Sequence, residues 1–314
     1  MKKYDAVIIG FGKGGKTLAG KLAGQGKKVA MIEKDAGMYG GTCINVGCIP
    51  SKSLVRSSGL AFNKKDASLE ERAADYEAAI DEKRRLTNML REKNFKKLDD
   101  LANVDVYNGT ASFVSNTVVE IKTSEETLEI EGEKIFINTG GTPVIPPIKG
   151  LEGNPYVYTS AELMDLREYP KQLVIVGGGY IGLEFSSMYS GFGTKVTVLQ
   201  DGEVLIPRED RDVAEAIQGV LENRGVTFKL GAQIQEIVRA DGHARIKLTF
   251  KGQEEILEAD AVLIATGRKP NTEGLRPERA GVELNRRGAV VVDDELKTTA
   301  DNIWAMGDVH GGLQ

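Results

Sequence analysis

Cysteine is scarce in this chain: 314 residues carry two, Cys43 and Cys48. That excludes the disulfide-dense scaffold of a small secreted domain. Histidine is as scarce, with only His243 and His310, and neither stands near the cysteines. No apolar run reaches the length needed to cross a bilayer. Positive charge is not in excess either. The net charge is −5, and no basic stripe interleaved with aromatics suggests nucleic acid. The start, Met-Lys-Lys followed by "YDAVIIGFGKGG", imitates a signal peptide. Glycines interrupt its apolar part and no small-residue cleavage site follows, so a cytoplasmic protein is expected. In a reducing compartment a close cysteine pair points to catalysis or metal binding rather than to a structural bridge.

What is present is a soluble globular composition, 41% hydrophobic and 28% charged. The chain is long for one core, so two domains are expected. Glycine is abundant, at 37 residues, and much of it is placed. "YDAVIIGFGKGGKTLAGKLAGQGKKVAMIEK" runs a short apolar strand into Gly10-x-Gly12-x-x-Gly15. A helical segment and a second strand ending at Glu33 follow. "QLVIVGGGYIGLEFSSMYSGFGTKVTVLQ" repeats the plan with Gly177, Gly179 and Gly182, and ends at Gln200. In both copies 23 positions separate the first glycine from the end of the second strand.

Each glycine has a task in such a frame. The first permits the tight strand-to-helix turn, the second admits a pyrophosphate to the backbone, and the third lets helix and strand pack closely. The phosphates then meet the free N–H groups and the dipole of the helix N-terminus. One such motif is weak evidence; two copies, each inside a strand-helix-strand unit, predict two dinucleotide sites. Glu33 can accept hydrogen bonds from both ribose hydroxyls, which suits FAD or NAD. The second copy carries neutral Gln200, then Asp201. No arginine follows at once to hold a 2′-phosphate; Arg208 and Arg211 come later. The choice between NADH and NADPH stays open at this stage.

Residues 64–101 are highly charged and read as one long amphipathic helix, with Ala74, Ala78, Leu86, Met89 and Leu90 at helical spacing. "TASFVSNTVVEIKT" and "ETLEIEGEKIFINTGG" alternate like antiparallel strands, as do "VTFKLGAQIQEIV" and "ARIKLTF" later on. "TPVIPPIKG" reads as a linker. His243 follows Asp-Gly in a turn and reads as a surface residue.

The cysteines stand in "GGTCINVGCIPSK". Five positions of regular helix cover about 7.5 Å along the axis, whereas bridged cysteines need Cα atoms within about 7 Å. A Cys43–Cys48 bridge therefore requires a distorted segment, with Gly47 a candidate for the distortion. Strained or exposed disulfides are the labile ones. The alternatives are two inert cysteines or two ligands of a metal site. A helix begins after Cys48, with Pro50 near its first turn, and its dipole would favour an anionic sulfur there.

Taken together, these motifs resemble the pyridine nucleotide-disulfide oxidoreductases, the family of glutathione reductase, dihydrolipoamide dehydrogenase and mercuric reductase. "GGTCINVGCIPSK" matches the redox-active disulfide motif. "IFINTGGTPVIPPIKG" and "AVLIATGRKPN" match the strands joining the two cofactor domains, and "NIWAMGDVHGG" the second FAD motif. "VIIGFGKGGKTLA", "MYGGTCINVGCIP", "VLIPREDRD" and "TTADNIWAMGDVHGGLQ" resemble a bacterial subgroup tied to reactive chlorine resistance. Its members are described as hypothiocyanous acid reductases, and one as a copper(II) reductase.

The resemblance implies an α/β fold of two Rossmann-like, three-layer ββα domains, the nicotinamide domain inserted in the FAD domain. The expected division is 1–153 and 271–314 for FAD and 154–270 for NAD(P)H. Cofactor-binding positions are Gly10, Gly12, Gly15, Glu33, Lys34, Gly41, Thr42, Thr139, Gly140, Gly177, Gly179, Gly182, Gln200, Gly267, Arg268, Gly307 and Asp308. Catalytic roles fall on five residues. Cys48 faces the flavin and Cys43 attacks substrate. Lys52 pairs with Glu184, and Tyr180 covers the flavin until nicotinamide enters. No metal site and no direct role for His310 are implied. Family members also carry, beyond the position of Gln314, a dimerisation domain with a His-Glu pair that protonates the distal thiol. Since general acid–base help is worth about 10²–10⁴-fold, turnover by this chain alone is expected to be impaired. The substrate is a small-molecule oxidant. Metal-ion reduction, Cu(II) or Hg(II), a diaphorase activity and a non-catalytic FAD-binding fragment are the alternatives.

Overall fold

The computed structural model describes residues 1–64 and 66–312. The first glycine frame folds as β1 (Lys2–Ile9), α1 (Lys13–Gly24) and β2 (Val29–Glu33). The cysteine segment follows as α2 (Thr42–Asn45) and α3 (Cys48–Phe62), then the long α4 (Leu69–Asp99). Next come β3 (Val104–Asn108), β4 (Thr110–Phe113), β5 (Val118–Lys122), β6 (Thr127–Ile137) and β7 (Gly141–Pro143). After β8 (Val157–Tyr158) and α5 (Ser160–Leu163), the second glycine frame is β9 (Gln172–Val176), α6 (Tyr180–Gly191) and β10 (Lys195–Gln200). The chain continues through α7 (Arg211–Glu222), β11 (Thr227–Leu230), β12 (Gln233–Ala240), β13 (His243–Phe250) and β14 (Gln253–Ala259). It ends with β15 (Ala261–Ile264), β16 (Arg268–Pro270) and β17 (Ile303–Ala305).

Two compact units result. One holds residues 1–49, 86–142 and 268–314, the other 50–85 and 143–267. Residues 50–85 thus fall with the second glycine frame, not the first. In the first unit the sheet order is β3-β2-β1-β6-β5-β4, with β17 also on β6. β1 pairs in parallel with β2 and β6, while β4, β5 and β6 form an antiparallel ladder. Alternate residues of β1 enter different cores. Ala6 and Ile8 pack with Phe11, Ala19 and Ala23 on the helical side. Val7 and Ile9 pack with Phe113, Val119 and Ile121 on the other. Burial on both faces explains the unbroken apolar run of β1.

The second unit repeats this layering. Its parallel sheet runs β11-β10-β9-β15-β8, and β12, β13 and β14 form an antiparallel meander. Leu173 and Ile175 of β9 pack with Leu183, Phe185 and Met188 of α6. Val174 and Val176 pack with Ile237, Ile246 and Leu248 of the meander. Each unit is therefore a three-layer ββα arrangement, the α/β fold expected.

The long helix is present, but its buried stripe is not the one read from sequence. Ala74 and Ala78 are exposed, and so is Met89; Leu86 and Leu90 are half-buried. Over residues 74–90 the buried positions are Tyr76, Ala79, Ile80, Lys83 and Thr87. They recur at three- and four-residue steps, as one helix face should. Two of them are polar, which hides the stripe from a hydrophobic pattern. The Lys83 side chain is 4% exposed, and its ammonium pairs with Asp165. A buried charge needs such a partner.

Candidate functional site

Both glycine turns form as the spacing predicts. Gly10 and Gly177 have φ of 104° and 112°, a region that disfavours any side chain. α1 and α6 start at N-cap glycines, Gly12 and Gly179, with no side-chain cap and no acidic residue in the first turn. Their first N–H groups are thus suited to an anion. A Cβ on Gly179 would meet nothing within 4 Å, so that turn is open on its outer side. The Tyr180 ring, 60% exposed, begins α6, and its hydroxyl donates to the Glu209 carboxylate. That bond raises the phenol above its usual range.

The strand ends meet the turns in the same way. Glu33 Oε2 accepts from the Phe11 N–H at 3.0 Å, and Oε1 from the Asp35 N–H at 3.2 Å. Burial raises the Glu33 carboxyl above its usual value, and these N–H groups hold it back. In the second copy Gln200 Oε1 accepts from the Gly178 N–H at 2.7 Å. Gln200 Nε2 donates to Asp201 Oδ1 at 3.0 Å. In each case the acceptor serves the N–H directly after the first glycine. Asn138, at the end of β6, donates to the Gly10 carbonyl at 3.1 Å and steadies the first turn.

The cysteine loop leans on that first turn. A Cβ on Gly41 would come to 2.6 Å of Gly12 Cα, so only glycine permits the approach. The distortion required by the cysteine spacing is there: α2 stops at Asn45, Val46 leaves helical geometry with φ −141°, and α3 starts at Cys48. Gly47 does not supply it through a positive φ. Its contribution is close approach, since a Cβ there would meet Thr42 O at 3.0 Å. Cys43 and Cys48 are not bridged here, and their thiols are hydrogen-bonded to each other. Burial, then the bond with Cys48, raises the Cys43 thiol above its usual value; the charges of Lys13 and Lys16 act against this.

Two residues absent from the sequence reading brace this loop. Asn45 is buried and its amide donates to the carbonyls of Tyr39 at 3.0 Å and Gly41 at 2.9 Å. Arg91 Nε of α4 donates to Asn45 Oδ1 at 2.8 Å. Asn45 sits inside the quoted motif; Arg91 has no local signal.

Lys52 and Glu184 come together in the second unit as an ion pair, and Ser51 Oγ donates to Glu184 Oε1 at 3.2 Å. Elsewhere, Arg268 Nε lies 3.7 Å from Asp308 Oδ2 in the first unit. Thr139 Oγ1 donates to the Asn271 carbonyl at 2.6 Å, and the Asn271 N–H to the Gly140 carbonyl at 2.9 Å. Thr42 is half-buried; Lys34, Gly267 and Gly307 are exposed. His243 is half-buried rather than on the surface, with Nδ1 2.9 Å from the Asp241 carbonyl and Nε2 3.4 Å from Glu258. Among the described residues no group of three or more His, Cys, Asp or Glu is placed to hold a metal ion. None of the described helices is long and apolar enough to cross a membrane.

Twin dinucleotide turns with a dithiol against the first define a class, and sequence comparison agrees. The model of the pyridine nucleotide-disulphide oxidoreductase family matches residues 4–314, and the chain belongs to that family. Its enzymes are FAD-dependent oxidoreductases that draw electrons from NAD(P)H. Among individual relatives, the probable pyridine nucleotide-disulfide oxidoreductase RclA of Escherichia coli (strain K12) is 49% identical over 314 residues. That match covers 100% of this chain and 68% of the relative. Mercuric reductase of Lysinibacillus sphaericus is 35% identical over 316 residues, covering 99% of this chain and 57% of that enzyme. A solved Cu(II) complex of the HOCl-induced flavoprotein disulfide reductase RclA from E. coli superposes with a TM-score of 0.91. It covers 100% of this chain and 68% of the other.

Proposed function

We propose that the chain carries electrons from NAD(P)H to a Cys43–Cys48 disulfide and on to a small oxidant. The observation that carries the reading is the dithiol loop packed against the first glycine turn through Gly41 and Gly12. FAD suits the first unit. The uncapped start of α1 offers N–H donors to a pyrophosphate, and the Glu33 carboxylate stands beside the turn as a ribose acceptor. Gly10, Gly12, Gly15, Lys34, Gly41, Thr42, Thr139, Gly140, Gly307 and Asp308 complete that site, with Gly267 and Arg268 supporting it. When bound, FAD supplies the two-electron relay between nicotinamide and disulfide. Gly177, Gly179, Gly182 and Gln200 take the nicotinamide dinucleotide, and Tyr180 guards its entry.

In balance, NAD(P)H, a proton and the disulfide become NAD(P)⁺ and two thiols. Cys43 then attacks the electrophilic atom of the oxidant, and Cys48 displaces the adduct to reform the disulfide. With hypothiocyanous acid the products are thiocyanate and water. Lys13 and Lys16 favour the Cys43 thiolate needed for attack. Lys52 and Glu184 hold each other's charge within the second unit. A second reading, with Cu(II) or Hg(II) as the oxidant, draws support from the Cu(II) complex and the mercuric reductase among the relatives. A homodimer in the cytoplasm is the expected setting.

Thiol counting tests the reading. The FAD-loaded chain, first oxidised, is given NADH or NADPH without oxygen, then alkylated and weighed. Two new alkylated thiols per chain are expected, at Cys43 and Cys48. If nucleotide adds none, or if Cys43→Ser and Cys48→Ser reduce the oxidant as fast as the parent, the electron path is wrong.

A further inference from the structure

We propose that Asp201 makes the second dinucleotide site selective for NADH over NADPH. The inference rests on the reading above, in which that site takes a nicotinamide dinucleotide. An adenosine ribose is recognised at the end of the second strand, beside the glycine turn. An acid there accepts the ribose hydroxyls, whereas an arginine accommodates a 2′-phosphate. In the first unit the acid is Glu33. In the second, Gln200 occupies the same place but both ends of its amide are engaged. Oε1 accepts from the Gly178 N–H at 2.7 Å, and Nε2 donates to Asp201 Oδ1 at 3.0 Å. The Gly202 N–H also donates to Asp201 Oδ1, at 2.8 Å.

Two donors thus fix the Asp201 carboxylate one residue past the strand end. Both use Oδ1, and the residue is exposed, which leaves Oδ2 as an acceptor for a hydroxyl. An accepting carboxylate suits a 2′-hydroxyl and repels a 2′-phosphate. One cation of the neighbouring loop is engaged by backbone. Arg211 Nη2 reaches the Leu205 carbonyl at 3.4 Å. Arg208 is followed at once by two acids, Glu209 and Asp210. Glu203, whose carboxylate lies against Gly231, adds further negative charge to the segment.

Calorimetric titration of the FAD-loaded chain with ADP and with adenosine 2′,5′-bisphosphate reads this without turnover. ADP is expected to bind at least about tenfold more tightly. Asp201→Asn should bring the ratio to within about threefold, mainly by improving the bisphosphate. Arg208→Ala should leave the parent's ratio unchanged. Equal or tighter binding of the bisphosphate by the parent overturns the proposal, and so does a ratio that Asp201→Asn does not move. Failure of both nucleotides to bind, with flavin retained, overturns the nicotinamide site itself, a separate result. NADH and NADPH as donors in the thiol-counting experiment should follow the same order.

Discussion

The two glycine frames solve one local problem with different chemistry. In each, a tight turn leaves an N–H pointing back at the second strand, and a side-chain oxygen at the strand end accepts it. The first unit uses a carboxylate, Glu33; the second uses a carboxamide, Gln200. The position therefore has a structural task besides any ligand. Where it is an acid, one side chain can do both. Where it is an amide, the negative charge moves one residue on, to Asp201, and is held there by the amide's own nitrogen. Reading only the strand-end residue mistakes the second site for a neutral one.

The copies also differ in how closely helix and strand meet, and this gives the largest expected effect. A Cβ on Gly182 would lie 2.1 Å from Gly177 O, against 2.7 Å from Gly10 O for Gly15. Gly182→Ala should cost about 3 kcal/mol and Gly15→Ala about 2 kcal/mol in urea unfolding. Trp304, the only tryptophan, stacks on Phe136 in the first unit. Its fluorescence should follow the Gly15 variant more closely than the Gly182 variant. Equal costs would show that both turns relax alike.

Exchanging the strand ends is the next test. Glu33→Gln keeps an acceptor for the Phe11 N–H but removes the charge. FAD retention, measured by flavin release on dilution, should weaken about tenfold, the worth of a charge-assisted bond. In the flavin-free chain the same change should help at neutral pH. Burial raises the folded Glu33 carboxyl above its usual value, so the protonated form is favoured on folding. Its contribution is greatest below the usual glutamate range and is lost as pH rises through the raised value. Unfolding midpoints of parent and Glu33→Gln should thus diverge with rising pH, the variant becoming the more stable. Gln200→Glu should do the reverse of a rescue. It loses the donor to Asp201 and sets two carboxylates together, costing about 1 kcal/mol at neutral pH.

Much of this was legible in the sequence because glycine and cysteine act through spacing. The 23-position intervals and the helix break between Cys43 and Cys48 follow from residue type at a fixed interval, whereas the Lys52–Glu184 pair followed only from the family resemblance. What escaped is polar and long-range. The buried face of α4 passes through Lys83 and Thr87, so no apolar period marks it. Asn45 and Arg91 act on backbone carbonyls and on each other, and 46 positions part them. Asp201 gains its meaning from which amide atom of Gln200 is already engaged, a matter of rotamer and not of composition.

The cysteine loop offers a smaller effect, confined to the first unit, since the second holds no cysteine. The Cys43 thiol is raised by burial first and by its bond with Cys48 second. Cys48→Ala removes both contributions of Cys48, its bond and its charge, and leaves burial. Alkylation of Cys43 by iodoacetamide below pH 9 should quicken about threefold, because less of the thiol stays protonated. An unchanged rate would mean that burial alone controls it.

The smallest expected change in stability belongs to Lys52 and Glu184. The Lys52 side chain is 68% exposed, and exposed ion pairs are worth about 0.2–1 kcal/mol. Glu184 also keeps its bond from Ser51 when the lysine is removed. A double-mutant cycle of Lys52→Gln and Glu184→Gln should thus return a coupling below about 1 kcal/mol in urea unfolding. If the pair serves electron transfer, the same variants should slow NAD(P)H-dependent appearance of the two thiols by about tenfold or more, far beyond what that stability loss explains. The two readouts separate the roles. A coupling well above 1 kcal/mol with thiol appearance at the parent's rate would make the pair a brace between α3 and α6 and leave the chemistry to the cysteine loop.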